Sequence, residues 1–461
     1  MKAETPRDLA LKALNRHARS PAFSPALLED LFRARRDLDD RDRAFATQLV
    51  QGVLRWRLRL DWIVEQSSRF PLRKIDPPVL EILRLALYQI FFLDRVPESA
   101  AVNEAVKQAK AAHPNHVVSF VNGLLRNICR HREGLAYPDQ DNDPVRYLSI
   151  YHSYPAWLVE KWISELGREA TEALLEAGNR TPPLTVRVNP LKTGRPALME
   201  RLQEEGLQAT PTRHSPLGVV IEGFRGRIDR LGAFKEGLIQ VQDEAAQIAS
   251  FLLAPAAGSV VLDLCAGLGG KSSHLAAIME NQGRLVALDT NRDKLVRLAA
   301  NAKRLGIRII HAAVADATAE VSSLFRSAFD RVLVDAPCSG LGVLSRHPDG
   351  KWNRSREGIR SLTLVQKAML HRASGALKGG GKLLYVTCTV TREENEGVVE
   401  GFLESRPGMV LEDLRDGAPE WVLDLVDERG FLRTLPHLHG MDGFFAALFS
   451  KPHELGKRGK N

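Results

Sequence analysis

Cysteine occurs four times in this 461-residue chain, and two of the four stand where a thiol can do covalent work. Cys338 lies in Asp335-Ala-Pro-Cys-Ser-Gly340, and Cys388 in Tyr385-Val-Thr-Cys-Thr389. Each follows a short apolar run that reads as a strand, Arg331 to Val334 and Lys382 to Val386. In an open α/β sheet, ligands sit beyond the carboxyl ends of the strands. A thiolate delivered there is a strong nucleophile and a good leaving group. A free cysteine is also a small hydrophobe, and burial is its usual fate. Two of them beside a ligand-binding loop favour chemistry over packing.

That loop is Cys265-Ala266-Gly267-Leu268-Gly269-Gly270-Lys271, between a strand at Val260–Leu264 and a helix through Ser272 to Met279. Its glycines let backbone approach a ligand, and the helix start offers free N–H groups. Asp289 ends the next strand, where an acid can accept from ribose hydroxyls. Asp316 follows a third strand, placed either to contact an adenine or to cap a helix. Asp335 ends a fourth. Two adenosine ligands fit: a dinucleotide, whose fingerprint is G-x-G-x-x-G/A, and S-adenosylmethionine, which needs no pyrophosphate cradle. Ser272 stands at the third fingerprint position and weakens the first. Cys265, Asp289, Asp316, Asp335, Cys338 and Cys388 all project from one edge of one sheet, and that convergence argues for an active site.

The elements that must position these residues follow from periodicity. From Gln240 onward, strands alternate with helical segments, the pattern of a parallel sheet with covering helices. The strands are expected at 260–264, 285–289, 308–311, 331–335, 382–386 and 444–449. Residues 6–132 read as helical, with Leu49, Val53 and Trp56, then Leu80, Leu83, Leu87 and Ile90, then Val102, Ala105, Val106 and Ala109 at helical spacing. Arg55, Arg57 and Arg59 among Trp56 and Trp62 are candidates to grip RNA phosphates, or else a solvated face over core tryptophans. A polar, proline- and aspartate-rich stretch from Leu135 to Pro144 reads as a linker. Residues 145–235 read as a small α+β module, with helices near 156–166, 169–177 and 197–205 and strands at 184–188 and 218–221.

The chain is too long for one domain and suggests two or three. Its net charge of +8 and pI near 9.3 suit a polyanionic partner. Sparse cysteine without a CxxC argues against a disulfide scaffold or zinc site and for a reducing, cytoplasmic setting. The first residues lack an apolar region, so no signal peptide is expected, and no apolar run is long enough for a membrane span. The last ten or so residues, ending Lys457-Arg-Gly-Lys-Asn461, read as a frayed basic tail.

Taken together, these motifs resemble the RsmB/Sun family of 16S rRNA (cytosine-C5) methyltransferases over nearly the whole chain. The Asp335-Ala-Pro-Cys-Ser-Gly340 and Thr387-Cys388-Thr pair carries the resemblance, with Arg346-His-Pro-Asp-Gly-Lys-Trp352 following as in that family. Asp42-Arg-Ala-Phe45, Leu83-Arg-Leu-Ala-Leu-Tyr-Gln89, Pro97-Glu-Ser-Ala-Ala-Val-Asn103 and Phe120-Val-Asn-Gly-Leu-Leu-Arg126 resemble a NusB-type helical domain. Arg187-Val-Asn-Pro190 resembles the family's small RNA-recognition-like domain, and Gln240-Val-Gln-Asp-Glu-Ala-Ala246 the lead-in to its catalytic core. The resemblance implies three domains: an all-α NusB-like RNA-binding domain (1–140), an α+β RNA-recognition-like module (145–235) and an α/β Rossmann-like methyltransferase domain with a mostly parallel sheet (236–451). The family loop reads Cys-Ala-Ala-Pro-Gly-Gly-Lys, so Gly267 and Leu268 depart from it; losing the proline should loosen the loop without removing the site.

What the resemblance implies about chemistry is specific. Cytosine C5 is a poor nucleophile, and a thiolate adding to C6 activates it toward a methyl electrophile. By resemblance, Cys388 is that nucleophile, Cys338 assists product release, and Asp335 contacts the cytosine N3/N4 edge. The residues alone do not order the two thiols. Residues 265–271 with Asp289, Asp316 and Asp335 would hold S-adenosyl-L-methionine, and no metal is expected. Lys271 would orient the substrate or the loop, and His347 and Lys351 are candidates for the RNA-facing surface. The expected partner is small-subunit rRNA, with no membrane and a monomeric protein. Competing readings are a cysteine-dependent NAD oxidoreductase, a DNA cytosine methyltransferase, an enzyme acting on another RNA such as tRNA, and a non-catalytic RNA-binding assembly factor.

Overall fold

In a computed structural model, the chain is described at residues 4–19, 24–35, 38–224, 226–318 and 326–453, so the C-terminal basic run lies outside the described residues. The chain forms two compact units, one of Met1–Arg180 with Leu344–Asn353, the other of Thr181–Val343 with Arg354–Asn461.

Among its described residues the first unit holds helices and no strand. Its longer helices are Pro6–Arg19, Asp40–Arg55, Pro77–Phe92, Glu98–Ala112 and Asn115–Arg130. Asp39 starts the second of these, its carboxylate accepting from the Asp42 N–H at 2.7 Å and so satisfying one orphan donor. The expected apolar stripes meet in one core: Leu49, Val53, Leu83, Leu87, Ile90, Val102, Ala105 and Ala109 are all buried. Helix Pro77–Phe92 is buried nearly all round, so its one charged pair is neutralised locally. Arg84 donates to Asp61 Oδ1 at 2.6 Å and to Glu81.

Helices Pro144–His152, Ala156–Leu166 and Arg168–Asn179 pack in this unit too, whereas the strands that follow them in the chain pack in the second. The stretch 145–235 is therefore divided by packing between two bodies.

Two surface expectations are corrected here. Of the arginines near Trp56, Arg55 is on no solvated face, and Arg57 and Arg59 are half-buried against rings. Arg55 is buried and donates to Ser345 O at 2.6 Å, and Arg57 lies over the Trp352 ring. Arg59 sits among the rings of Trp56, Phe92, Tyr137 and Tyr151, 4.3 Å from the last. Lys351 is not on a surface either. It is fully buried, with Nζ donating to Arg55 O (3.1 Å), Ser153 O (3.2 Å) and Asn179 Oδ1 (2.6 Å). Residues Leu344–Asn353, which follow the Cys338 loop, pack in the helical unit, where Lys351 satisfies carbonyls at the ends of two helices. His347 in the same segment is half-buried.

The second unit holds two sheets. The smaller has strands β1 (Leu184–Val188), β2 (Ala209–Pro211), β3 (Gly218–Ile221) and β4 (Ile239–Val241), ordered β2-β3-β1-β4 and antiparallel throughout. β1 and β3 match the expected strands; β2 and β4, three residues each, give no readable alternation. Arg187 on β1 is buried and donates to Gly270 O at 2.9 Å and Ser273 Oγ at 3.0 Å, which ties this sheet to the helix after the glycine-rich loop.

The larger sheet contains β5 (Val260–Asp263), β6 (Arg284–Asp289), β7 (Ile310–Val314), β8 (Phe329–Asp335), β9 (Leu377–Thr387), β10 (Val410–Glu412), β11 (Leu432–Thr434) and β12 (Phe444–Ser450). Their order is β10-β12-β9-β8-β5-β6-β7, with β11 added on β12. β5 to β9 pair in parallel and β12 runs antiparallel to β9, so the sheet is mixed and mostly parallel. Neighbouring residues enter opposite cores: Val261, Leu384 and Ala446 face one, Leu262, Leu383 and Phe445 the other. Burial on both faces explains the continuous apolar runs of these strands. The third strand begins two residues later than expected, at Ile310. Among the described residues no helix is long and apolar enough to cross a membrane.

Candidate active site

The strand order decides where a ligand can lie. From β5 the chain steps outward to β6 and β7, then returns to lay β8 and β9 on the other side of β5. The crevice at the carboxyl ends of β5 and β8 is the switch point of the sheet. Cys265 follows β5 and Cys338 follows β8, so both loops open there. Cys388 follows β9, the next strand over.

The register then brings the thiols together. Asp335 on β8 pairs with Val386 on β9, so Cys338 and Cys388 leave the sheet as neighbours. Their sulfurs are 3.2 Å apart, and the Cys388 N–H donates to Cys338 Sγ at 3.3 Å. Both cysteines remain half-buried rather than sealed. The hydrogen bond with Cys388 and burial push the Cys338 thiol well up, so it retains its proton. Close backbone approach allows this packing: a Cβ on Gly342 would lie 2.0 Å from Gly443 O and 2.9 Å from Cys388 O.

A charged pair flanks the thiols. Lys271 Nζ is 2.6 Å from Asp335 Oδ2, and the ammonium lies 5.1 Å from the centre of the Phe444 ring. Burial opposes the lysine's charge, but Asp335 outweighs it and raises the pKa. Asp335 itself keeps partial solvent access, with 29% of its side chain exposed. Beneath the loop, buried Asp263 accepts from Ser272 Oγ at 2.6 Å, and burial lifts its pKa to about 7. Burial also pushes the Cys265 thiol up, so it is not a ready nucleophile.

The glycine-rich loop is held despite its departures. Gly267 N–H donates to Asp289 Oδ2 at 3.0 Å, and Gly269 N–H to Ala266 O at 2.8 Å. Ala266 in turn donates to Leu288 O at 2.8 Å, and Leu268 projects outward, 53% exposed. A Cβ placed on Gly267 or Gly270 would meet no atom within 4 Å, so the loop and the start of helix Gly270–Ile278 face open space. A nucleoside with a charged amino-acid tail fits what this edge offers: N–H donors at the helix start and the Asp289 carboxylate as an acceptor. Asp316 is exposed two residues beyond β7, its Oδ1 accepting from the Thr318 N–H at 2.8 Å.

Sequence reasoning missed the polar layer under the thiols. Glu394, Asn395, Gln366, Ser339 and Thr389 are fully or nearly fully buried and hydrogen-bonded to one another or to the cysteine loops. The run Thr391-Arg-Glu-Glu-Asn-Glu396 looks like a solvated helix start, and no sequence signal separates Glu394 from its exposed neighbours.

A doubly wound sheet with this loop, an acid on β6 and paired thiols at the switch point defines a methyltransferase domain of the S-adenosylmethionine-dependent class. Residues 250–450 match the model described as 16S rRNA methyltransferase RsmB/F, residues 4–130 the NusB family, and residues 154–226 the ferredoxin-like domain of RsmF/B-like methyltransferases. A relative from Bacillus subtilis, named probable ribosomal RNA small subunit methyltransferase B, is 36% identical over 98% of this chain and 100% of its own. The crystal structure of PH0851 superposes with a TM-score of 0.78 at 28% identity, over 97% of this chain and 99% of that one. NSun6 from Pyrococcus horikoshii, solved with the S-adenosylmethionine analogue SFG, shares the fold at a TM-score of 0.58 and 24% identity, over 66% of this chain and 100% of that one. The chain belongs to the RsmB/F family of 16S rRNA methyltransferases.

Proposed function

We propose that this protein methylates C5 of a cytosine in small-subunit rRNA through a covalent bond between Cys388 and C6 of the base. The observation that carries this reading is the 3.2 Å sulfur–sulfur contact beside the Lys271–Asp335 pair, at the switch point that also holds the glycine-rich loop. S-adenosylmethionine, when bound by residues 265–271, Asp289 and Asp316, supplies an electrophilic methyl group. The chain's own residues do the rest. Cys388 as thiolate adds to C6 and makes C5 electron-rich. Asp335, oriented by its contact with Lys271, accepts from the exocyclic N4–H of the base and fixes the ring's orientation. Lys271 offsets the negative charge that addition places on the ring. After methylation, the C5 proton passes to water, the C5–H electron pair re-forms the C5–C6 double bond, and the C6–S bond breaks to return Cys388 as thiolate, with Cys338 assisting from beside the departing sulfur.

The base must leave any stack to reach these thiols, which costs a few kcal/mol and least in a loop or single strand. The helical unit and the small antiparallel sheet supply the RNA contacts that offset this cost. Bisulfite sequencing of rRNA from cells with and without the protein tests the product, which should appear as one protected cytosine. Cys388→Ala should abolish transfer, while Cys338→Ala should accumulate a protein–RNA adduct on denaturing gels. Normal turnover by Cys388→Ala would overturn the nucleophile assignment.

A further inference from the structure

Two adjacent residues, Glu394 and Asn395, reach both cysteine loops from below. Both are fully buried. Glu394 Oε1 accepts from the Ser339 N–H at 2.7 Å and from Gln366 Nε2 at 3.1 Å. Gln366 Nε2 also donates to Pro337 O at 3.0 Å. Glu394 Oε2 accepts from Ser339 Oγ and, at 2.8 Å, from Thr391 Oγ1. The residues on either side of Cys338 are therefore held, one directly by Glu394 and one through Gln366.

Asn395 treats Cys388 the same way. Its Oδ1 accepts from Thr387 Oγ1 at 2.6 Å, and its Nδ2 donates to Thr389 O at 3.1 Å. Thr389 Oγ1 and Ser339 Oγ, 2.8 Å apart, close the bridge between the two loops. Tyr385 on β9 anchors the pair by donating to Glu394 O at 2.6 Å.

We propose that Glu394 and Asn395 are the positioning residues of the two-thiol site, setting the separation of Cys338 and Cys388 by gripping the neighbours of each. The proposal rests on the reading that both thiols act in the reaction. The arrangement has a physical logic. A buried carboxylate is costly unless its lone pairs are filled. Every donor that fills those of Glu394 is neutral, and the two from Ser339 sit next to a reacting residue. No lysine or arginine pairs with it among the described residues. The same negative charge adds to the Cys388 contact and to burial in keeping the proton on Cys338. A shift of one loop by about 1 Å would cost on the order of a hundredfold in rate.

The test reads geometry apart from turnover. Each protein is equilibrated with oxidised and reduced glutathione, and the Cys338–Cys388 disulfide is quantified by mass spectrometry. Two protein thiols are oxidised as one glutathione disulfide becomes two glutathione thiols. Glu394→Gln and Asn395→Ala should lower the equilibrium constant for disulfide formation at least about tenfold. They should lower kcat about a hundredfold, with the KM for RNA within about twofold and the calorimetric affinity for S-adenosylhomocysteine unchanged. If either variant fails to bind S-adenosylhomocysteine, Asn395→Gln decides, since it keeps a neutral amide and displaces its grip on Thr387 and Thr389 by one methylene. Wild-type disulfide equilibrium and kcat in folded variants would overturn the proposal. An active Cys388→Ala enzyme combined with a lowered disulfide equilibrium in Glu394→Gln would instead refute the two-thiol reading and leave the positioning role standing.

Discussion

Lys351 in the helical unit and Lys271 in the second unit are both largely shielded from solvent, and they are held by opposite means. Among the described residues, Lys351 in the helical unit has no carboxylate partner. Three carbonyl oxygens accept its donors, and the Tyr154 ring lies 3.6 Å from its Nζ. Burial, and then the nearby Arg55, push its pKa well down. Lys271 beside the thiols is held by a single carboxylate, and Asp335 raises its pKa. The first is a plug: its hydrogen bonds finish helix ends and a side-chain amide, and nothing is left over for a ligand. The second is a poised charge whose partner keeps an open side. A buried cation satisfied by carbonyls reads as architecture, and one satisfied by a half-exposed carboxylate at a switch point reads as chemistry.

Substitution of each lysine by methionine separates the two roles. Lys271→Met should lower methyl transfer about a hundredfold, because Asp335 loses the cation that orients it. Its thermal midpoint should stay near that of the parent, since the freed carboxylate can hydrate. Lys351→Met should do the reverse. Orphaning Arg55 O, Ser153 O and Asn179 Oδ1 should cost about 3 kcal/mol of stability in chemical denaturation, while the folded variant keeps its turnover within a few-fold. A Lys351→Met enzyme that is stable but inactive would break the comparison. Smaller still is the effect expected at Asp263, which sharpens the picture of the site's floor. Its pKa rises from an ordinary 3.8 to about 7 in the folded protein, so the native state binds the proton more tightly than the unfolded chain does. Its contribution to stability is complete below about pH 4 and is lost as pH climbs toward 7. Asp263→Asn keeps an acceptor for Ser272 Oγ and should flatten the decline of the denaturation midpoint across that window. An unchanged slope would show that Asp263 is not the titrating group.

Much of this was legible along the chain. Helical spacing at Leu83, Leu87 and Ile90 and continuous apolar runs at 260–264 and 382–386 led directly to the elements found. Where periodicity was lacking, reading failed: β2, β4, β10 and β11 are three-residue strands set by pairing with a neighbour, not by alternation. The burial of Arg55 was not legible, because composition records charge and aromatic content but not which way a side chain turns.

The sequence by itself determined that a glycine-rich loop, an acid one strand later and two thiols would share one sheet edge, because residue type and strand-end position are local properties. Only the tertiary structure decided that the two sulfurs touch, that Lys271 pairs with Asp335 beside them while Lys351 is buried among carbonyls, and that Glu394 and Asn395 hold the thiol loops. Each of these depends on contacts between segments distant along the chain: strand register, the depth of a buried side chain and the partner that fills its last hydrogen bond.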